Sequence, residues 1–251
     1  MSMPDAMPRR SIDATWNPVT GCTQVSAGCD HCYALAIAES SRGIPGHPYE
    51  QGFDLRLWPQ RLEKPLHWKK PRMIFVNSMS DVFHAGVPEA FIRQIFDVMV
   101  RAYWHTYLIL TKRPRRLARM APSLPWPAHV WMGVSVESNE VAWRADELRR
   151  VPAAVRVISA EPLLGPIDQI ELDGIHWLIT GGESGPRHRP CHPDWVRDIR
   201  DRCLEANVAF FHKQWGGRTF RSGGRELDGR TWEQMPVVTP AVAQLPLLPV
   251  G

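Results

Sequence analysis

The chain reads as an α/β protein, with parallel strands curved into a full or partial (β/α) barrel and helices on the outside. Three observations predict this. Six short apolar runs recur along the chain, helical patterns separate most of them, and nearly every run ends in polar or charged residues. Runs that are apolar at every position, rather than at alternate ones, suit strands covered on both faces, as in a parallel sheet.

A first, poorly apolar strand is expected within residues 15–20 (TWNPVT). A cysteine loop follows it, and residues 33–40 begin the first helix. The apolar runs come next: 73–76 (MIFV), 107–110 (YLIL), 130–136 (VWMGVSV), 155–158 (VRVI), 175–179 (IHWLI) and 208–211 (VAFF). Helical periodicity over 88–103 puts Phe91, Ile95 and Val98 on one face, with Pro88 suited to a first helical position. Residues 139–150 repeat the pattern with Val141, Ala145 and Leu148, and Ser138 is the expected N-cap. Residues 193–206 do so with Val196, Ile199 and Cys203, again opening on a proline. The stretch between the fourth and fifth runs (LLGPIDQIELDG) is short and broken by Gly and Pro, so no regular crossover helix is expected there. In barrels of parallel strands the site lies at the C-terminal strand ends. Ser80, Asp81, Lys112, Ser135, Glu137, Glu161, Glu183, Lys213 and Gln214 all fall there, predicting a polar mouth ringed by carboxylates and lysines.

Length and composition bound the rest. A chain of 251 residues supports one large core. Residues 1–235 are assigned to the barrel domain and 236–251 to a proline-spaced, uncharged tail. With 44% apolar and 22% charged residues the chain is ordinary for a globular protein, and 23 Pro with 18 Gly fall short of low complexity. No run reaches the ~18 apolar residues of a membrane span. The opening MSMPDAMPRR has charge but no apolar segment, so a cytoplasmic protein without membrane association is expected. A net charge of +4 permits an anionic partner without requiring one. Eleven tryptophans suit cores, pocket walls and stacking platforms.

Three of five cysteines cluster in CTQVSAGCDHC, with C-x6-C-x2-C spacing at Cys22, Cys29 and Cys32. Gly21 and Gly28 each precede a cysteine and allow tight backbone approach. Such a loop suits an iron–sulfur cluster. It also suits zinc, which wants four ligands, but His31 lies between two cysteines and reaches the same ion awkwardly. A cubane held by three thiolates leaves one iron open for a substrate or cofactor. Cys203 falls in a helical pattern and is assigned to the core. Cys191 receives no role.

A strand, then a three-cysteine loop, then a helix, heading a series of βα units, resembles the radical S-adenosylmethionine superfamily. The segments WNPVTGC (16–22), CDHCYA (29–34), NSMSDVFH (77–84), TKRP (111–114), GVSVES (133–138), SAEPLLG (159–165), GGESG (181–185) and KQWGG (213–217) are similar to a narrower group. This is the phage- and mobile-element-associated family of three-cysteine proteins, whose substrate is uncharacterised. The similarity spans roughly residues 12–236. The superfamily's commonest spacing is C-x3-C-x2-C, and this chain departs from it between the first two cysteines.

The resemblance implies a barrel of the radical S-adenosylmethionine type and a 4Fe-4S cluster on Cys22, Cys29 and Cys32. It implies S-adenosyl-L-methionine bound at the open iron through its amino and carboxylate groups. One electron from the cluster then cleaves the sulfonium, and the resulting 5′-deoxyadenosyl radical abstracts hydrogen from a substrate. An electron donor of flavodoxin or ferredoxin type is implied, and a protein partner would be compatible. By position, Ser78, Ser80 and Asp81 are candidates for the methionine ammonium, Lys112 for its carboxylate, and Ser135 and Glu137 for the ribose hydroxyls. Glu161, Gly181, Gly182 and Glu183 border the adenine or the substrate. Lys112, Glu161, Glu183 and Lys213 are the catalytic candidates.

Two basic clusters bear on the substrate. Lys112, Arg113, Arg115, Arg116 and Arg119 run without an intervening acid, and Lys213, Arg218, Arg221, Arg225 and Arg230 form a sparser set near Trp215 and Trp232. A phosphate-tracking surface for a nucleic acid or nucleotide is one reading, and a solvated helix face with an adjoining loop is the other. The competing function is a non-catalytic nucleic-acid-binding protein whose cysteines hold structural zinc.

Overall fold

The apolar runs become strands and the amphipathic stretches become helices, in the order expected. The structure is a computed structural model and describes residues 12–219 and 222–237. The opening MSMPDAMPRR, Arg221 and the tail beyond 237 lie outside the described residues.

The chain opens with β1 (Ala14–Trp16) and β2 (Val19–Thr20), then the cysteine loop and α1 (Tyr33–Glu39). It continues through β3 (Arg56–Leu57), β4 (Met73–Val76), α2 (Glu89–Arg101), β5 (Thr106–Thr111) and α3 (Pro114–Met120). After these come β6 (Val130–Ser135), α4 (Arg144–Arg149), β7 (Arg156–Ala160) and β8 (Trp177–Gly181). The chain ends with α5 (Pro193–Glu205), β9 (Ala209–Gln214), β10 (Glu226–Leu227) and β11 (Arg230–Thr231).

Seven strands form one sheet in the order β1-β4-β5-β6-β7-β8-β9, every pair parallel. The order follows the sequence without reversal. Right-handed crossovers then put α2, α3, α4 and α5 on the same side, and the sheet curls into a half-barrel. β1 and β9 do not pair with each other, so the fold is the partial barrel and not the closed one.

Pleating splits each strand between two apolar layers. Ile74, Val76, Tyr107, Ile109, Met132, Val134, Ile158, Leu178 and Phe210 face the helices and join the main core. α2 buries Phe91, Ile92, Ile95, Phe96, Val98 and Met99 against them, each worth roughly 1.5–3 kcal/mol of removed apolar surface. Leu108, Trp131, Val157, Trp177, Ile179 and Phe211 face the concave side and form a second cluster. There Trp131, Trp177 and Phe211 meet edge to face at 6.0 Å, an arrangement favoured by the ring quadrupoles.

Several elements depart from the sequence reading. Only Ala14–Trp16 of the first expected strand joins the main sheet. Val19–Thr20 turns away after Pro18 to pair antiparallel with β3. Pro88 is the N-cap of α2 rather than its first residue. Residues 139–150 divide into a 3-10 turn at Asn139–Val141 and the short α4, with Ser138 as N-cap of the turn. α3 lies within the basic run. No helix spans 161–176, so β7 reaches β8 without one.

The β9 edge is partly covered. Residues 232–234 run antiparallel beside it, with Phe211 opposite Glu233 and His212 N–H donating to the Trp232 carbonyl at 2.9 Å. The Trp232 ring lies 5.7 Å from Phe210 and under the Arg230 guanidinium at 3.7 Å. No helix among the described residues is long and apolar enough to cross a membrane.

Candidate active site around the cysteine loop

The loop that carries the cysteines leaves β2 and lies over the C-terminal ends of the strands. Its entry is stitched to the turn after β4. Gly21 N–H donates to the Met79 carbonyl at 3.0 Å, and Ser80 Oγ donates to the Val19 carbonyl at 2.8 Å. Asn17 holds the same turn from below, accepting from Met79 N–H at 3.1 Å and contacting Ser78 Oγ at 3.2 Å. Tyr33 then donates to the Ser78 carbonyl at 2.6 Å. Within the loop a 3-10 turn, Ala27–Cys29, brings Cys29 N–H onto the Ser26 carbonyl at 2.9 Å, and Cys32 caps α1.

Three ion-paired groups, from the ends of β5, β6 and β8, grip this loop. The first is Arg113, after β5. It donates to Asp81 Oδ2 at 3.0 Å, to Cys22 Sγ at 3.3 Å and to the Thr23 carbonyl at 2.9 Å. Burial pushes the Cys22 thiol up, and the Arg113 charge and hydrogen bond work against that rise. Asp81 also accepts from Thr111 Oγ1 at 2.8 Å and from Lys112 N–H at 3.0 Å, so its oxygens are fully engaged within the protein. His84 supports the same corner. Its Nδ1 accepts from Gly86 N–H, leaving Nε2–H to face Thr23 Oγ1 at 3.0 Å. Burial, aided by Arg113, lowers its pKa and keeps this ring neutral.

The second clamp is Glu137, after β6. It is buried, with Arg144 at 2.9 Å, Ser26 Oγ at 2.9 Å and Lys112 Nζ at 3.6 Å. It lies so close to Gly28 that a Cβ there would overlap its carboxylate. The third is Glu183, after β8. Arg189 reaches it at 2.6 Å and His31 Nδ1 at 2.8 Å. Arg189 then continues to Asp30 Oδ2 at 3.2 Å and to the Ala27 carbonyl at 2.9 Å. Burial opposes ionisation of Glu183, but the bonds from Arg189 and His31 outweigh it and hold its pKa at about 2.

The remaining predicted residues line the concave side. Strand register sets Ser135 beside Ser159, Ser159 beside Ile179, and Ile179 beside Phe211. One step nearer the mouth, Lys213 Nζ pairs with Glu161 at 2.9 Å, and Glu161 packs over Gly181. Gly182 lies against the Trp215 carbonyl, where any Cβ would overlap. Cys22, Cys29, Cys32, Ser78, Ser80, Asp81, Lys112, Ser135, Glu137, Glu161, Gly181, Gly182, Glu183 and Lys213 all stand at this end of the sheet. Within this polar mouth, Asp81, Glu137, Glu161 and Glu183 are each committed to a cation of the chain.

Sequence reasoning missed the partners. Arg144 sits inside the apolar stripe of its helix with Val141, Ala145 and Leu148, and an arginine in such a stripe signals a buried carboxylate. Arg189, Ser26 and Ser159 carried no comparable signal. Cys203 is buried in the core as expected. Cys191 is half-buried, with burial pushing its thiol up to about 11.

Three thiols on one loop are the type of donor that iron–sulfur clusters use. Cys22, Cys29 and Cys32 are half-buried free thiols on one loop, and Arg113 aims an N–H at one sulfur. Among the described residues, no three His, Cys, Asp or Glu side chains converge as they would around one metal ion. No curated protein and no solved structure matches the chain. Residues 10–236 match a family described as a protein of unknown function, DUF5131. With its sheet, cysteine loop and all three clamps inside the matched span, the chain belongs to the DUF5131 family.

Proposed function

We propose that the protein is a radical S-adenosylmethionine enzyme acting at the mouth of the half-barrel. One observation carries the reading: three free cysteines share one loop over the C-terminal strand ends of a sequentially ordered parallel sheet, with an arginine hydrogen-bonded to one sulfur. Cys22, Cys29 and Cys32 would hold the 4Fe-4S cluster. Bound there, the cluster supplies the electron for reductive cleavage of S-adenosyl-L-methionine.

The chain's own residues supply position and charge. Arg113 places a fixed cation beside Cys22 and offsets part of the rise that burial imposes on its thiol. Asp81 aims Arg113 and so acts as a positioning residue. Glu137 and Glu183 hold the loop from two sides, which limits its freedom without needing a disulfide. Ser135, Ser159, Glu161 and Lys213 present the polar groups of the concave wall, above an apolar floor that includes Ile179 and Phe211.

Anaerobic reconstitution with iron and sulfide tests the proposal. The expected result is a brown protein with about four irons per chain that releases 5′-deoxyadenosine when reduced with S-adenosyl-L-methionine. Cys29→Ala is expected to lose the chromophore, and Cys203→Ala to keep it. A colourless protein with one zinc per chain would replace this reading by the zinc-binding alternative.

A further inference from the structure

Beside the mouth lies an open cavity of about 420 Å³, walled by Lys112, Arg113, Arg115, Arg116, Arg119 and Trp143, with no carboxylate in its lining. The five cations differ in how they are balanced. Arg113 and Lys112 are opposed by Asp81 and Glu137. Arg116 gives its N–H groups to the carbonyls of Phe83, His84 and Val87, which fix the side chain without cancelling its charge. Arg115 and Arg119 stand one turn apart on α3, exposed and without an ion pair among the described residues. The Arg115 guanidinium rests 4.6 Å from the Trp143 ring centre, a cation–π seat that restrains it without using its hydrogen-bond donors.

The two exposed guanidinium groups without an ion pair among the described residues, Arg115 and Arg119, stand around one hollow and suit phosphate, which arginine reads through paired N–H donors. The hollow is at the small end of ligand sites. At this volume it has room for one nucleotide unit. Cations beside an aromatic ring are the combination that single strands use. The inner wall is Lys112 and Arg113, whose other contacts are Glu137 and Cys22. A strand seated here therefore abuts the cysteine loop.

We propose that this cavity binds a phosphate-bearing nucleotide unit of a single-stranded nucleic acid. The inference rests on the preceding reading only for the reaction the strand would meet, and not for the binding itself.

Fluorescence anisotropy with a labelled 12-nucleotide oligo(dT) tests it on the full chain, with no cluster needed. The doubly substituted R115Q/R119Q is expected to bind at least about tenfold more weakly. It should also lower the slope of log K against log salt by about 1.4, since each phosphate contact on a single strand contributes about 0.7. K69Q/K70Q removes the same charge from exposed positions outside the cavity and is expected to bind within twofold of the parent. Trp143→Ala is expected to weaken binding and Trp143→Phe to restore it. Unlabelled dTMP should displace the oligonucleotide at concentrations where inorganic phosphate does not. The proposal is overturned if R115Q/R119Q binds like the parent, or if K69Q/K70Q loses as much affinity. It is equally overturned if inorganic phosphate competes as well as dTMP. Failure here would leave cluster assembly and 5′-deoxyadenosine release unaffected, so the two readings fail separately.

Discussion

At the scale of single residues, buried carboxylates do most to fix the cysteine loop, and Glu183 shows it best. Its pKa is held at about 2, below the ordinary value near 4.3. A depressed folded-state pKa means its stabilisation is fully present above about pH 4.3 and is lost as the pH falls toward 2. Glu183→Gln is expected to cost about 2–3 kcal/mol at pH 7. The gap from the parent should close between about pH 4.3 and 2, as read from urea midpoints across that range. A gap that persists unchanged at pH 2 would mean that charge is not what Glu183 contributes. Gly182→Ala is a steric counterpart. A Cβ there meets the Trp215 carbonyl, which is backbone and cannot swing aside. The expected loss is about 3 kcal/mol, visible as a lowered melting temperature at every pH. The positions of Glu137, Glu161 and Glu183 after buried runs were legible in the sequence. Their commitments were not, because Arg113, Arg144 and Arg189 find Asp81, Glu137 and Glu183 only once strands and loops are assembled.

At the scale of elements, the strands were the most legible part. Residues 73–76 match β4 at both ends, and the other five runs lie within two or three residues of their strands. Which side chains face the concave wall was not legible. A run such as VWMGVS is apolar on both faces, so its pleat carries no polar and apolar alternation. α3 was seen only as one reading of a basic run, because its buried face is limited to Pro114, Leu117, Ala118 and Met120 over seven residues. The strip beside β9 was not foreseen, yet it bears on the sheet's stability. Trp232 is buried against Phe210, with its N–H on the Leu227 carbonyl at 3.3 Å. Trp232→Ala is expected to cost about 3–5 kcal/mol and to uncover a strand edge that favours self-association. Denaturant unfolding and light scattering would record the two effects together. A variant as stable as the parent and with the parent's light scattering would show that the strip is dispensable.

At the scale of the whole molecule, strand order decides where chemistry can sit. A sheet that adds each strand beside its predecessor gathers all its C-terminal loops at one end, and the loops after β4, β5, β6 and β8 all meet the cysteine loop there. Filling that loop with a cluster should therefore tighten distant parts of the chain. Reconstituted protein is expected to melt higher than the cluster-free form and to resist proteolysis across residues 22–32, with Cys29→Ala showing neither effect. Equal protease sensitivity with and without iron would argue that the clamps alone already rigidify the loop. Sequential strand order also bears on how the protein is made. A nascent chain exposes its three thiols long before Arg113, Glu137 and Arg189 emerge from the ribosome. The cysteines are synthesised first and fastened last, leaving an interval during translation in which they stand open before the finished scaffold closes over them.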